Sequence, residues 1–426
     1  MPGVTYSPAS YAVRSVARLS GGNASVAMGA LLAFVIIVFS CIGTVFPALA
    51  PFVPAKGVAA VGLLGLFISI VFYRREIETG GWITLGLVTY LGIALASRFW
   101  SAWPEMSSSL TGDLIKYVAI YFLVVNVVDS PARLRLLMTT IVLGALIPCL
   151  GAIKGYFLGE YLVEGNRAAW ISIFGNPDDL AYYLLAATPM ALALREMSAS
   201  KTKRALLLVV VALYSAAIFL GASRGGILTL GVLLALWWVR ELRRGRLGVW
   251  IAVAGVAALL FVPSHVWNRT KTLADYREDT SAMGRIWTTQ AGLSMFAKSP
   301  WGGLGAGTFA VNYPSFAPMD AETDIAAMAP HNSFIQVLAE EGLFGCVGFL
   351  TAIIAGFWLT RRHAAGSDPV AAGAAGLQGA LIAFFLSSLT GGLAVSWPIY
   401  WTLGLAAALP RIRVTAAAAP AEVPAE

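Results

Sequence analysis

The chain has 426 residues, of which 58% are hydrophobic and only 12% charged, with a formal net charge of +7. A soluble globular domain carries about 25% charged residues. Soluble classes are therefore excluded, and the apolar residues gather instead in runs of roughly 14 to 28, long enough to cross a hydrocarbon core of about 30 Å. The pattern is that of an all-α integral membrane protein, because a chain in lipid must satisfy its backbone polar groups internally.

In chain order, twelve apolar runs read as spans: 26–46, 58–73, 82–98, 114–128, 136–158, 180–194, 205–222, 226–239, 247–262, 332–359, 370–389 and 396–409. The first is longer than a signal-peptide core, and Ala48-Leu49-Ala50 is followed by Pro51, so it is expected to stay as a span. Basic residues stand at Arg14 and Arg18 and then after every second span. They are Arg74 and Arg75; Arg133 and Arg135; Arg195, Lys201, Lys203 and Arg204; Arg240, Arg243, Arg244 and Arg246; Arg361 and Arg362; Arg411 and Arg413. By the positive-inside rule this alternation implies an even number of spans with both termini cytoplasmic. The net charge is thus a topology signal, with no call for nucleic acid as a partner. Cys41, Cys149 and Cys346 lie in separate predicted spans and offer neither a disulfide framework nor a metal spacing.

The expected organisation is a nine-span bundle over 1–262, a large outer loop over 263–330, three spans over 331–410 and a disordered cytoplasmic tail over 411–426. A shorter outer segment covers 159–179. The cytoplasmic loops leave no room for a nucleotide-binding domain, which places any chemistry on the outer face. In the large loop, Met283, Ile286, Trp287, Leu293 and Phe296 recur at helical spacing and predict an amphipathic helix on the membrane or the bundle. Pro300-Trp301-Gly302-Gly303-Leu304-Gly305-Ala306-Gly307 follows as a turn. Its glycines serve either close chain packing or phosphate binding through backbone N–H groups, with Gly303 and Gly305 the supporting candidates. Trp100, Trp103, Trp170, Trp267, Trp301, Trp397 and Trp401 all fall near the outer boundary, as an aromatic belt does.

The leading candidate for chemistry is His331, where Pro330-His331-Asn332-Ser333 restarts an apolar helix at the outer boundary. The positive end of the helix dipole and nearby arginines disfavour imidazolium there, and a neutral imidazole is what a general base needs. A helix-capping or interface histidine is the plainer alternative, and Asn332 and Ser223 are supporting candidates for the site. Arg224, in Ser223-Arg224-Gly225-Gly226, sits in a hairpin of a few residues between two spans, where a cation is costly unless paired or needed. It is either a snorkelling arginine or a phosphate ligand. Arg285, beside Trp287, and Arg167, in Gly165-Asn166-Arg167, are solvated or anion-binding. The large loop is close to neutral, with Arg269, Lys271, Arg277, Arg285 and Lys298 against Asp275, Glu278, Asp279, Asp320, Glu322 and Asp324. Anion binding would thus depend on particular arginines. The first outer loop, 47–56, holds no acid, so metal-independent chemistry without a cofactor is expected.

The motifs resemble those of the bacterial O-antigen ligase and polymerase superfamily. They are Phe174-Gly175-Asn176-Pro177, Ser223-Arg224-Gly225-Gly226, Gly284-Arg285-Ile286-Trp287, the run from Ser299 to Gly305, and Pro330-His331-Asn332-Ser333-Phe334 followed by Glu341-Gly342-Leu343-Phe344-Gly345. The resemblance implies a GT-C-like fold of about twelve transmembrane helices in the bacterial inner membrane, with a large periplasmic loop containing short helices. It implies transfer of a glycan from undecaprenyl diphosphate to lipid A–core at the periplasmic face, with His331 as base and Arg224 and Arg285 holding the diphosphate. Asp178 and Asp179 depart from the asparagine expected after Asn176-Pro177. An O-antigen polymerase and a protein O-oligosaccharyltransferase remain alternatives. No arginine among Arg167, Arg224, Arg269, Arg277 and Arg285 has a glycine eleven residues on, as polymerase repeats do, and the sequence after the last span reads as a short tail rather than a further domain. A polyprenol-lipid or solute transporter would show inverted repeats, broken helices and mid-membrane charges.

Overall fold

A computed structural model of the protein describes residues 22–52, 54–74, 76–244, 280–318 and 328–418. The predicted span 247–262 and the charged positions Arg269, Lys271, Arg277, Asp320, Glu322 and Asp324 lie outside the described residues, as do His265 and Trp267. The principal helices are α1 (Gly22–Ser40), α2 (Pro54–Val71), α3 (Gly81–Ser97), α4 (Pro104–Val127), α5 (Pro131–Leu158), α6 (Pro177–Met197), α7 (Lys201–Leu220), α8 (Arg224–Arg243), α9 (Thr280–Lys298), α10 (Phe309–Phe316), α11 (Ser333–His363), α12 (Pro369–Ser388) and α13 (Trp397–Ala418). The other predicted spans each overlap one of these helices, although 26–46 runs past the end of α1, where Cys41 is left-handed (φ 46°), into a separate turn at Ile42–Val45; the protein is an all-α membrane protein. Six of them, α4, α5, α7, α8, α11 and α12, are long and apolar enough to cross a bilayer. The only described strands are a two-residue hairpin, β1 (Leu162–Val163) with β2 (Arg167–Ala168).

α6 is buried on nearly every side, which makes it the central helix of the bundle. Small residues let its neighbours close on it: a Cβ at Gly376 of α12 would lie 2.6 Å from Ala193, and one at Gly379 would lie 2.5 Å from Pro189. α4 starts ten residues before the predicted span because Pro104 opens it and Thr111 donates back to the Ser107 carbonyl, which ties polar residues into the helix. α13 runs on to Ala418, so 411–418 of the expected disordered tail are helical. Arg411 anchors them by donating to the carbonyls of Val125 and Val128, and Arg413 by donating to Asp368.

The two ends of the bundle differ in chemistry. One end gathers the basic residues into ion pairs: Arg133 with Asp129, Arg195 with Glu241, Arg240 and Arg244 with Glu196, and Arg413 with Asp368. His363 also lies there, its Nδ1 2.9 Å from the Leu359 carbonyl, which closes off the helix end. The opposite end holds the start of α6, the α7–α8 link, the start of α11 and the α12–α13 loop.

α11 is not the single membrane helix expected from residue 332. Gly342 stands at φ 64°, ψ −161° and breaks it. Phe334 and Phe349 face each other with ring centroids 6.2 Å apart, although fifteen residues of unbroken helix would separate them by roughly 22 Å. The first part therefore folds back, and 343–363 alone has the length to cross. α3 runs antiparallel to that part, with Gly86 against Ala352, Gly348 against Tyr90 and Gly345 near Ile93, so α3 ends level with the break. The glycine turn after α9 plugs into it. Leu304 N and Gly305 N donate to the carbonyls of Ala339 and Glu340, and Leu343 N and Phe344 N donate to those of Pro300 and Trp301.

Candidate active site

Arg224 owes its place to a three-residue link between α7 and α8. Ala222 takes a left-handed conformation (φ 47°), and the Ser223 hydroxyl accepts from Gly226 N at 3.1 Å, which caps α8. Arg224 is then the first residue of α8 and half-buried. The glycines behind it are required by close approach. A Cβ at Gly225 would lie 2.6 Å from the Thr390 hydroxyl, and one at Gly226 would lie 2.9 Å from Ala181. The start of α8 is thus wedged between α6 and the α12–α13 loop.

The same loop holds His331. Asn332 caps α11 by accepting from Phe334 N at 2.9 Å and Ile335 N at 3.2 Å. Ser333, fully buried, donates to the Gly391 carbonyl and accepts from Leu393 N, both at 2.7 Å. Pro330 packs on Gly392, where a Cβ would lie 2.8 Å from its carbonyl oxygen. His331 therefore sits just ahead of the cap of the folded-back segment, rather than on the first turn of a spanning helix. Burial pushes its imidazole pKa below the ordinary histidine value, the Arg285 guanidinium pushes it the same way, and Asp178 opposes them. The direction is the one expected from the sequence, but desolvation leads.

Arg285 arrives on α9, which lies on the bundle. The face α9 buries is Gly284, Trp287, Thr288, Ala291, Gly292 and Met295, whereas Ile286 and Leu293 of the predicted apolar face point outward. Small residues decide this rotation: at Gly292 a Cβ would collide with Ile335 of α11 at 2.3 Å. Arg285 is half-buried, and its Nε is buried with no hydrogen-bond partner among the described residues.

Arg167 is committed to the chain. Its Nε donates to the Gly221 carbonyl at 3.0 Å, and its terminal nitrogens donate to Glu164 and Asp178 at 3.2 Å each, with 6% of the residue exposed. It ties the hairpin to the end of α7 and the start of α6, and so braces the site instead of presenting a free cation. The glycine turn decides between its two expected roles. Gly303 N donates to the Ser299 carbonyl and Gly305 N to that of Glu340, so neither N–H is available to a phosphate. Close packing is the role of Gly303 and Gly305.

Asp178, which links Arg167 to the electrostatics of His331, was missed in the sequence. An acid in a first helical turn is explained locally by the helix dipole, and nothing local points to a partner on the hairpin. Among the described residues, no group of His, Cys, Asp or Glu is arranged to hold a metal ion.

The arrangement is that of a multi-helix membrane protein whose one end brings together a half-buried imidazole and half-buried guanidinium groups, side chains able to exchange a proton and to bind an anion. Residues 209–350, about a third of the chain, match the family model described as O-Antigen ligase. That stretch contains Ser223, Arg224, Arg285, the glycine turn, His331 and Asn332, and the match supports the O-antigen ligase superfamily and a ligase- or polymerase-type glycosyltransferase. A search of curated proteins finds no match.

Proposed function

We propose that the protein is an O-antigen ligase of the bacterial inner membrane, with the His331 end facing the periplasm and both termini in the cytoplasm. It moves a polysaccharide from undecaprenyl diphosphate to a sugar hydroxyl of lipid A–core. Arg224 and Arg285 hold the donor diphosphate. Arg167, satisfied within the chain, positions Asp178 and the α7–α8 link and is not assigned a phosphate contact.

The reading rests chiefly on two features: an imidazole whose pKa is lowered by burial and by the Arg285 guanidinium, and the buried Nε of that guanidinium, which has no hydrogen-bond partner among the described residues. Negative charge grows on the diphosphate as the sugar–oxygen bond breaks, and guanidinium groups strengthen their hold as it does. His331 takes the proton of the acceptor hydroxyl, a step worth about 10²–10⁴ in rate. The hydroxyl oxygen attacks the anomeric carbon from the face opposite the diphosphate, so the product is inverted in one step. The break in α11 does not favour a transporter, because it lies level with the end of α3 and is filled by the protein's own turn.

The test is reconstitution of the full chain in liposomes with undecaprenyl-diphosphate glycan and lipid A–core, without ATP. A new glycosidic bond to lipid A–core supports the ligase. Longer glycan on undecaprenyl diphosphate would make it a polymerase, and movement of lipid with no new bond would make it a transporter.

A further inference from the structure

Beside the break in α11 lies an open cavity of about 550 Å³ that the proposed reaction does not use. Its walls come from the end of α3, the glycine turn, α10 and the start of the crossing part of α11. Trp301 and Phe344 stack with ring centroids 5.6 Å apart and are 61% and 51% exposed. Trp100 lines the same cavity and is held by the turn: its indole N–H donates to the Gly303 carbonyl at 3.2 Å, and its ring lies where a Cβ at Gly302 would come within 2.9 Å. Asn312, whose amide nitrogen donates to the Thr308 carbonyl at 2.9 Å, and Ser299 also line it. No lining residue is charged.

We infer that this cavity is a subsite for a neutral sugar unit, separate from the charged centre at His331. The inference rests on the glycosyltransferase reading above. Immobilised aromatic faces accompanied by a few amide and hydroxyl groups suit a ring that is apolar on its C–H faces and hydroxylated at its rim. A diphosphate is the wrong ligand, since nothing here offsets the desolvation of its charge. The spacing also fits. The turn that floors the cavity is bonded to Ala339 and Glu340, eight or nine residues from His331, or roughly 12–14 Å of helix. A glycan reacting at His331 has room to lay a more distant sugar on Trp301.

The sugar belongs either to the acceptor or to the donor polymer, and two probes separate these sources. Binding of dephosphorylated core oligosaccharide, and separately of the free repeat-unit oligosaccharide, is measured by saturation-transfer NMR on the full chain in nanodiscs. A His331→Ala background leaves both probes unreacted. The expected result is that one probe binds, that Trp301→Ala weakens it about tenfold, and that Trp301→Tyr, which keeps an aromatic face, stays within about threefold of the parent. The probe that responds names the source. In the transfer assay Trp301→Ala should raise KM for that same substrate with little change in kcat. The subsite is overturned if neither probe binds, if Trp301→Ala and Phe344→Ala leave binding unchanged, or if brominated acyl chains quench Trp301 equally with and without saturating probe, which would make the cavity a lipid contact. Binding is read without turnover. Trp301-dependent binding in a chain that transfers nothing would therefore sink the reaction alone, and transfer without such binding would sink the subsite alone.

Discussion

Replacing Gly303 by alanine isolates the contact that joins the loop carrying Arg285 to the helix carrying His331. Gly303 has φ +69°, and a Cβ there would lie 2.3 Å from both the carbonyl carbon and oxygen of Glu340. Glu340 cannot move aside cheaply. Its carbonyl accepts from Gly305 N, and its carboxylate accepts from Phe309 N at 3.0 Å and from the Gln336 side chain at 3.3 Å. Gly159 is the control, with φ +74° and nothing within 4 Å of a built Cβ. Gly159→Ala carries the left-handed backbone cost alone, about 1 kcal/mol. Gly303→Ala adds an overpacking cost of about 1–3 kcal/mol, for a total of roughly 2–4 kcal/mol. Reversible unfolding in mixed micelles reads the difference between the two variants, and donor KM should rise for Gly303→Ala only, because α9 is displaced from His331. Equal losses of stability would refute the claim that the turn is locked into the break in α11.

Loss of the base is the simplest further test: His331→Ala should abolish transfer while expression and the unfolding transition persist, and full activity would remove the assignment. His331 must be neutral to accept a proton, so activity is present above its pKa and lost as pH falls through it. With that pKa held low, the acid limb of kcat/KM should lie below the ordinary histidine range. Arg285→Gln removes a lowering influence and should move the limb to higher pH, whereas Asp178→Asn removes a raising one and should move it lower. Shifts in the same direction would contradict the electrostatics. Arg224→Ala and Arg285→Ala should each weaken donor use, and near-normal donor kinetics in both would eliminate the diphosphate clamp. Arg167→Lys loses the fork that reaches Gly221, Glu164 and Asp178 together, and should cost about 1–3 kcal/mol of stability. Chelators should leave the transfer rate unchanged, and a loss restored by added Mg²⁺ would overturn metal-free chemistry.

Much of this was legible in the sequence because hydropathy and charge are read by the bilayer one segment at a time. The spans, the hairpin at Ser223-Arg224 and the helix start after Pro330 are local features, and each has a local cause. What escaped depended on contacts between distant segments. Arg167 reads as an outer-loop cation until Asp178 and the Gly221 carbonyl are placed beside it. Ile286 and Leu293 fit an apolar stripe, yet the side of α9 that docks is set by where glycine and alanine allow backbones to approach. The break at Gly342 lies inside the predicted span 332–359, directly after Glu340-Glu341, a charged pair outweighed there by the apolar residues on either side. Only the carbonyls of Ala339 and Glu340, engaged by a turn thirty-five residues earlier, show why the chain bends there.

That bend also explains how one end of a membrane bundle can bring the His331 imidazole near the Arg285 guanidinium. Had α11 continued straight, its first nine residues would have carried His331 about 13 Å beyond the level at which α3 ends. There it would be solvated, and away from Asp178 and the α12–α13 loop. Folded back, the segment lays Phe334 on Phe349 and Phe385, inserts Ser333 between Gly391 and Leu393, and half-buries the imidazole. The same bend opens backbone carbonyls at its apex, and the glycine turn that occupies them is the covalent continuation of α9. Burial of His331 and placement of Arg285 are thus two consequences of one break. A substitution that straightened α11 would remove both at once.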